Sequence, residues 1–228
     1  MTADELRAEL EAELAWRQEE LAFFKNQLNE IKESNKDKYR KSLVLMLYSH
    51  MEGYTKICLQ TYIQYINSRG LNRSDVKTGL MVASMQKEFI AYENTERKSD
   101  IFRRNLPNDT RLHQLYRRVD FMEKVENFKK EKLIVDDQII DTESNLWYIV
   151  LQKNLYKIGL PIDLFESYQN DMDALVNRRN SIAHGNFKAG VTDSEFSNWE
   201  RKVTGILEGI KRLLYDYAKN ERYLITAM

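Results

Sequence analysis

The residues most able to do chemistry stand together in Asp173–Phe187, DALVNRRNSIAHGNF. Arg179, Asn180 and His184 there supply a planar cation, an amide and an imidazole. A histidine of near-neutral pKa can take or return a proton at physiological pH. A guanidinium can grip a phosphate through two parallel hydrogen bonds and stabilise charge growing on it. The pairing suits cleavage of an RNA phosphodiester. The imidazole would take the 2′-hydroxyl proton or protonate the leaving 5′-oxygen, while the arginine holds the phosphate. Asn180 would orient the imidazole or bind a phosphate oxygen. Such chemistry needs no metal and no cofactor, and three histidines with one cysteine suggest no metal site. A plainer reading stands beside it: Arg and His near a helix C-terminus complement the helix dipole, and a following glycine is an ordinary helix end.

The element that must position these residues is a helix predicted over 163–184. Asp163 and Glu166 are spaced as a capping box at its start, and Gly185 closes it. Leu164, Tyr168, Met172, Leu175, Arg179 and Ile182 recur at threes and fours and so share one face. Arg179 therefore falls where a core residue is expected. An unpaired buried guanidinium is costly, so it must meet a carboxylate, a subunit interface or an anionic ligand. Arg179 and His184 are five residues apart, about 140° around an ideal helix. They converge only if the helix unwinds near Gly185, or if a second copy faces the first across a two-fold axis.

Further elements follow from periodicity. Residues 3–33 read as one long helix with Leu10, Leu14, Leu21, Phe24, Leu28 and Ile31 in a stripe, interrupted by Arg17. It either packs on a domain or joins chains as a coiled coil. SNKDKYRK (34–41) reads as a polar break. Residues 42–67 form a helix apolar on most sides, ended by Arg69-Gly70, which belongs in the centre of the fold. A helix is expected in VKTGLMVASMQKEFIAY and another over about 109–132 after Pro107. KLIVDDQII is a strand or a turn. Ser144 is expected to cap SNLWYIVLQKNLYKIG, and Thr192 with Glu195 opens a last helix over about 193–220. With 8 Gly and 2 Pro in 228 residues and no βαβ alternation, the fold class is all-α: a single-domain helical bundle, 1–228, with a long N-terminal helix (1–34), a core helix (42–69), a central insertion (93–145) and the motif and final helices (163–220).

RNSIAH, between an apolar-rich helix and a glycine, resembles the R-x(4–6)-H signature of the HEPN superfamily, in which a polar residue, often Asn, follows the arginine. Met51, Glu52, Gly53, Tyr54 and Lys56 resemble the early core helix of a stand-alone bacterial branch of that superfamily. The resemblance implies a helical bundle that dimerises through the motif helices and acts as a metal-independent endoribonuclease in toxin–antitoxin or phage-defence systems. Arg179, Asn180 and His184 would be catalytic, with an antitoxin or regulatory protein as a partner. Members that have lost catalysis only bind, so a non-catalytic dimer binding RNA or a protein partner is the alternative.

Glu52 lies on the line Leu45, Tyr48, Glu52, Thr55, Leu59. It would support the site by pairing with Arg179, or would pair at the surface with Lys56, one turn away. His50 reads as a hydrogen-bonded structural histidine and His113 as a solvated one. Residues 97–118 hold seven Arg/Lys against two Asp. Arg103, Arg104, Arg117 and Arg118, together with Arg178, are candidate RNA contacts; the other reading is a solvated face balanced by the acidic first helix.

Composition bounds the partners. Lys+Arg and Asp+Glu are 35 each, so no global charge draws the chain to nucleic acid or membrane. The single Cys58 allows no internal disulfide. The longest apolar run, Leu43 to Tyr48, is far short of the roughly 20 residues of a membrane span. With an acidic, helical start unlike a signal sequence, a cytoplasmic location and no membrane association are expected.

Overall fold

Four helices enclose one core, with the most apolar of them in the middle. The computed structural model describes residues 1–102 and 110–225. The helices are α1 (Ala3–Asn26), α2 (Glu33–Ser68), α3 (Thr78–Ser84), α4 (Gln86–Glu93), α5 (Thr110–Lys130), α6 (Tyr148–Lys157), α7 (Gln169–Ala183) and α8 (Asp193–Lys219). Among the described residues there is no strand, only isolated bridges at Asn72–Lys132 and Val76–Leu224. The class is all-α, and among the described residues no helix is long and apolar enough to cross a membrane.

α2 packs against α1, α7 and α8. Its buried side chains, among them Tyr48, Met51, Tyr54, Leu59 and Tyr62, face several directions around the helix, as a central position requires. Two buried tyrosines also cross-link the bundle: Tyr54 donates to the Leu10 carbonyl at 3.2 Å and Tyr65 to that of Ala218 at 3.1 Å. α1 lays Leu6, Leu10 and Leu14 on α2 and α8, so within this chain it is a packed helix. The capping box expected at Thr192 and Glu195 forms and opens α8.

Several boundaries differ from expectation: α1 ends at Asn26 rather than near 33, the helix expected in VKTGLMVASMQKEFIAY divides at Met85 into α3 and α4, and three more differ for a tertiary reason. The polar break at 34–41 is helical, because its polar residues have partners elsewhere. Tyr39 donates to the Phe24 carbonyl at 3.1 Å, and buried Arg40 pairs with Asp37 at 2.7 Å and Asp193 at 3.2 Å. Ser144 does not cap α6, whose N-cap is Trp147; the free Tyr148 N–H donates instead to Asp173 of α7 at 3.0 Å. Asp163 and Glu166 form no side-chain capping box; a 3₁₀ turn over Glu166–Tyr168 intervenes and α7 begins at Gln169. There Phe165 and Tyr168 lie against Gly209 and Gly205 of α8, leaving Leu164 half-exposed. The KLIVDDQII segment is a bridge at Lys132 and a 3₁₀ turn over Asp137–Ile139.

The start of α2 also pins the loop behind the motif. Val191 donates its N–H to the Asp37 carbonyl at 2.9 Å, and Lys41 donates to the Phe187 carbonyl at 2.6 Å. A Cβ on Gly190 would stand 2.3 Å from the Asp37 Cβ, so the two backbones approach as only glycine allows. Gly190→Ala is expected to lower the unfolding free energy by about 1–3 kcal/mol. The check is a lower urea midpoint at unchanged m-value; an unshifted midpoint would mean that this approach is not tight.

Candidate functional site: an arginine on the inner face of α7

α7 keeps the predicted face at Met172 and Leu175, both buried, and adds Val176. One turn on, Arg179 is partly buried, as are Asn180 and Ile182, while His184 is exposed. The helix ends in a left-handed turn. Gly185 has φ 72°, the Gly185 N–H donates to the Ile182 carbonyl at 3.1 Å and the Asn186 N–H to that of Ser181 at 2.9 Å. This is the double hydrogen bond of a glycine C-cap, with His184 as the capping residue. The His184 N–H still donates to the Asn180 carbonyl at 2.9 Å. The helix therefore does not unwind before His184, and Arg179 and His184 keep the wide angular separation of a regular helix.

The Arg179 guanidinium is held by neutral groups. Its Nη1 donates to Asn180 Oδ1 at 2.7 Å and to Asn145 Oδ1 at 3.1 Å. Its carbon lies 4.7 Å from the centre of the Tyr48 ring, a cation–π distance. Among the described residues no carboxylate lies within ion-pair distance of it, so the expected Glu52–Arg179 bridge is not formed, nor is a Glu52–Lys56 pair. Glu52 is one turn from Tyr48 on α2 and acts on that tyrosine. The Tyr48 hydroxyl accepts the Leu146 N–H at 2.8 Å. Burial pushes its pKa up from 10.0 to about 12; the Glu52 carboxylate adds to the rise, while the Leu146 N–H and the Arg179 charge oppose it. The phenol is therefore protonated across the physiological range. Lys56 is partly buried on the same helix.

Sequence reasoning missed Tyr48 and Asn145 as members of the site. Tyr48 was visible only as one apolar position of the Glu52 line, and Asn145 sits 34 residues before Arg179 with no periodicity to link them.

The other candidates separate. Arg178 points to α8: it reaches Glu195 at 3.5 Å and stacks on Phe187 at 4.0 Å and Trp199 at 5.4 Å. Arg117 is buried and donates to the carbonyls of Tyr92 of α4 at 3.0 Å and Arg97 at 3.2 Å, so it ties α5 to α4 and the segment that follows it. Arg118 is exposed on α5. Arg103 and Arg104 lie outside the described residues. His113 is buried rather than solvated, with Nδ1 accepting the Ser99 N–H at 3.2 Å, because α5 turns that side inward. His50 is buried beside Glu20 and edge-on to Trp16, and burial lowers its pKa.

An all-α bundle that ends its penultimate helix in arginine, asparagine and histidine, ahead of one long final helix, defines a HEPN-type domain. The model of the HEPN_MAE_28990-like HEPN family matches residues 6–223, and the chain belongs to that family. Comparisons with curated proteins and with solved structures give no match. HEPN domains are often ribonucleases and often dimerise.

Tyr48→Phe tests the floor of the site. Losing the hydroxyl leaves the Leu146 N–H unpartnered, an expected loss of about 1–3 kcal/mol at pH 7. A pKa raised by folding contributes stability that is present below pH 10 and lost as pH rises towards 12. The wild-type advantage over Tyr48→Phe should therefore shrink between pH 10 and 12, measured by urea denaturation at each pH. A gap independent of pH would contradict the buried, protonated phenol.

Proposed function

We propose that this protein is a metal-independent endoribonuclease of HEPN type, working as a homodimer. The observation that carries the reading is a partly buried Arg179 whose partners are two amides and an aromatic face, with no carboxylate within ion-pair distance among the described residues. Its positive charge is aimed but not neutralised, which suits a phosphate as its missing partner. His184 sits exposed five residues on, at the capped end of the same helix.

In this reading one His184 removes the 2′-hydroxyl proton, and the 2′-oxygen attacks phosphorus. The bond from phosphorus to the 5′-oxygen breaks, and a second imidazole supplies the proton to the leaving oxygen. The products are a 2′,3′-cyclic phosphate and a 5′-hydroxyl. Arg179 binds the non-bridging oxygens and stabilises their growing charge. Because Arg179 and His184 diverge on one regular helix, two copies facing each other across a two-fold axis assemble the site from both motifs. The cellular role in this reading is a toxin or phage-defence effector, restrained by an antitoxin or regulatory protein.

The test is cleavage of a mixed RNA panel in EDTA by wild type, Arg179→Ala and His184→Ala, after matching their fold and oligomeric state. Wild type should cut, with His184→Ala slowed by about 10²–10⁴-fold and Arg179→Ala at least comparably. Wild type that binds RNA without cutting it would support the non-catalytic dimer instead. Equal behaviour of all three proteins would make the motif structural.

A further inference from the structure

We infer that Asn145 is a positioning residue for Arg179: its neutral amide oxygen, together with that of Asn180, fixes the guanidinium over the Tyr48 ring without neutralising it. The inference rests on the nuclease reading above for its substrate, but its geometry stands independently.

The turn that carries Asn145 is built for this contact. Glu143 and Ser144, immediately before it, have φ of 51° and 70°. Two consecutive left-handed residues that both carry a Cβ are unfavourable, and persist only where the surroundings enforce them. Here they do. The Asn145 N–H donates to the Thr142 carbonyl at 2.9 Å, and its own carbonyl accepts the Trp147 N–H at 2.9 Å. The N–H groups on either side of Trp147 leave the turn altogether: Leu146 donates to Tyr48 of α2 at 2.8 Å and Tyr148 to Asp173 of α7 at 3.0 Å. At the far end, buried Asn154 of α6 ties down the backbone of Asp141, accepting its N–H at 3.2 Å and donating to its carbonyl at 2.7 Å. The turn is thus fastened to α2, α6 and α7 before its side chain meets Arg179 at 3.1 Å.

The choice of amide over carboxylate follows from what each would do. An aspartate differs from asparagine by one group and would make a charge-assisted pair with Arg179, stronger than the present bond. It would also satisfy the guanidinium permanently, leaving a phosphate to compete with it. The amides of Asn145 and Asn180 fix direction and the Tyr48 ring supports the face of the cation, so the charge stays available to an anion.

Two variants read this out. Asn145→Asp should keep the melting temperature at or above wild type while raising KM for RNA about tenfold or more at low salt. Asn145→Ala, which leaves the guanidinium held only by Asn180 and the Tyr48 ring, should lower kcat at an unchanged oligomeric state. Alongside, the Arg179 side-chain NMR signal is followed during titration with inorganic pyrophosphate. The wild-type signal should move, and the Asn145→Asp signal should move only at about tenfold higher concentration or more. If wild type leaves RNA intact but its Arg179 signal responds as described, the nuclease reading falls and the positioning role stands. If wild type cuts RNA and both variants keep its kcat and KM, the positioning role falls alone. An Arg179 signal indifferent to pyrophosphate, or equally responsive in Asn145→Asp, also overturns it.

Discussion

A guanidinium placed where a core side chain belongs is the constraint from which the rest of this site follows. Burial of a cation is tolerated only with compensation, and the compensation chosen here is directional rather than ionic. Tyr48 offers an aromatic face and Asn145 and Asn180 offer amide oxygens. Each comes from a different part of the chain: the central helix, the turn before α6, and α7 itself. The three elements must meet for Arg179 to be held, which ties the site to the packing of the whole bundle. A hydroxyl kept protonated by burial lets Tyr48 act as floor under the arginine and as acceptor for the adjoining turn.

The histidine end is organised by a second set of contacts. Gly185 allows the left-handed reversal after α7, and the chain beyond it is fastened to the first turns of α2 through Asp37 and Lys41. Arg178 completes this side by stacking on Phe187 and Trp199 and reaching Glu195, the third helical residue of the α8 capping box. Two adjacent arginines thus do different work. Arg178 joins α7 to α8, and Arg179 faces the central helix. Neighbours on a helix point about 100° apart, so adjacency in sequence says little about shared function.

Basic residues of the middle segment make the same point. A count of charges over 97–118 treats Arg117 and Arg118 alike, yet one is buried on backbone carbonyls and the other is exposed. Arg97 is likewise paired, with Asp120 at 2.8 Å. Local positive charge is an upper limit on what a surface can offer a polyanion, because a folded chain spends arginines on its own loops.

Helix periodicity, capping residues and the scarcity of breakers determined the all-α class, the long first helix, the central helix and the capped last helix, because those signals act within a few residues of one another. The motif was legible for the same reason: Arg179, Asn180 and His184 share one helix end, and an arginine at an apolar position announces that something must meet it. What met it was decided by tertiary structure. Asn145 and Tyr48 are remote in sequence, and neither residue type nor spacing distinguishes them from other amides and core aromatics. The same holds for the boundaries that moved. The residues of 34–41 look like a break until Asp193, Phe187 and Val191 arrive as partners, and Asp163 and Glu166 look like a cap until Phe165 and Tyr168 pack on α8. Local patterns specify elements because their energies are local. Partners for buried polar groups are specified only when the elements assemble, because burial itself exists only then.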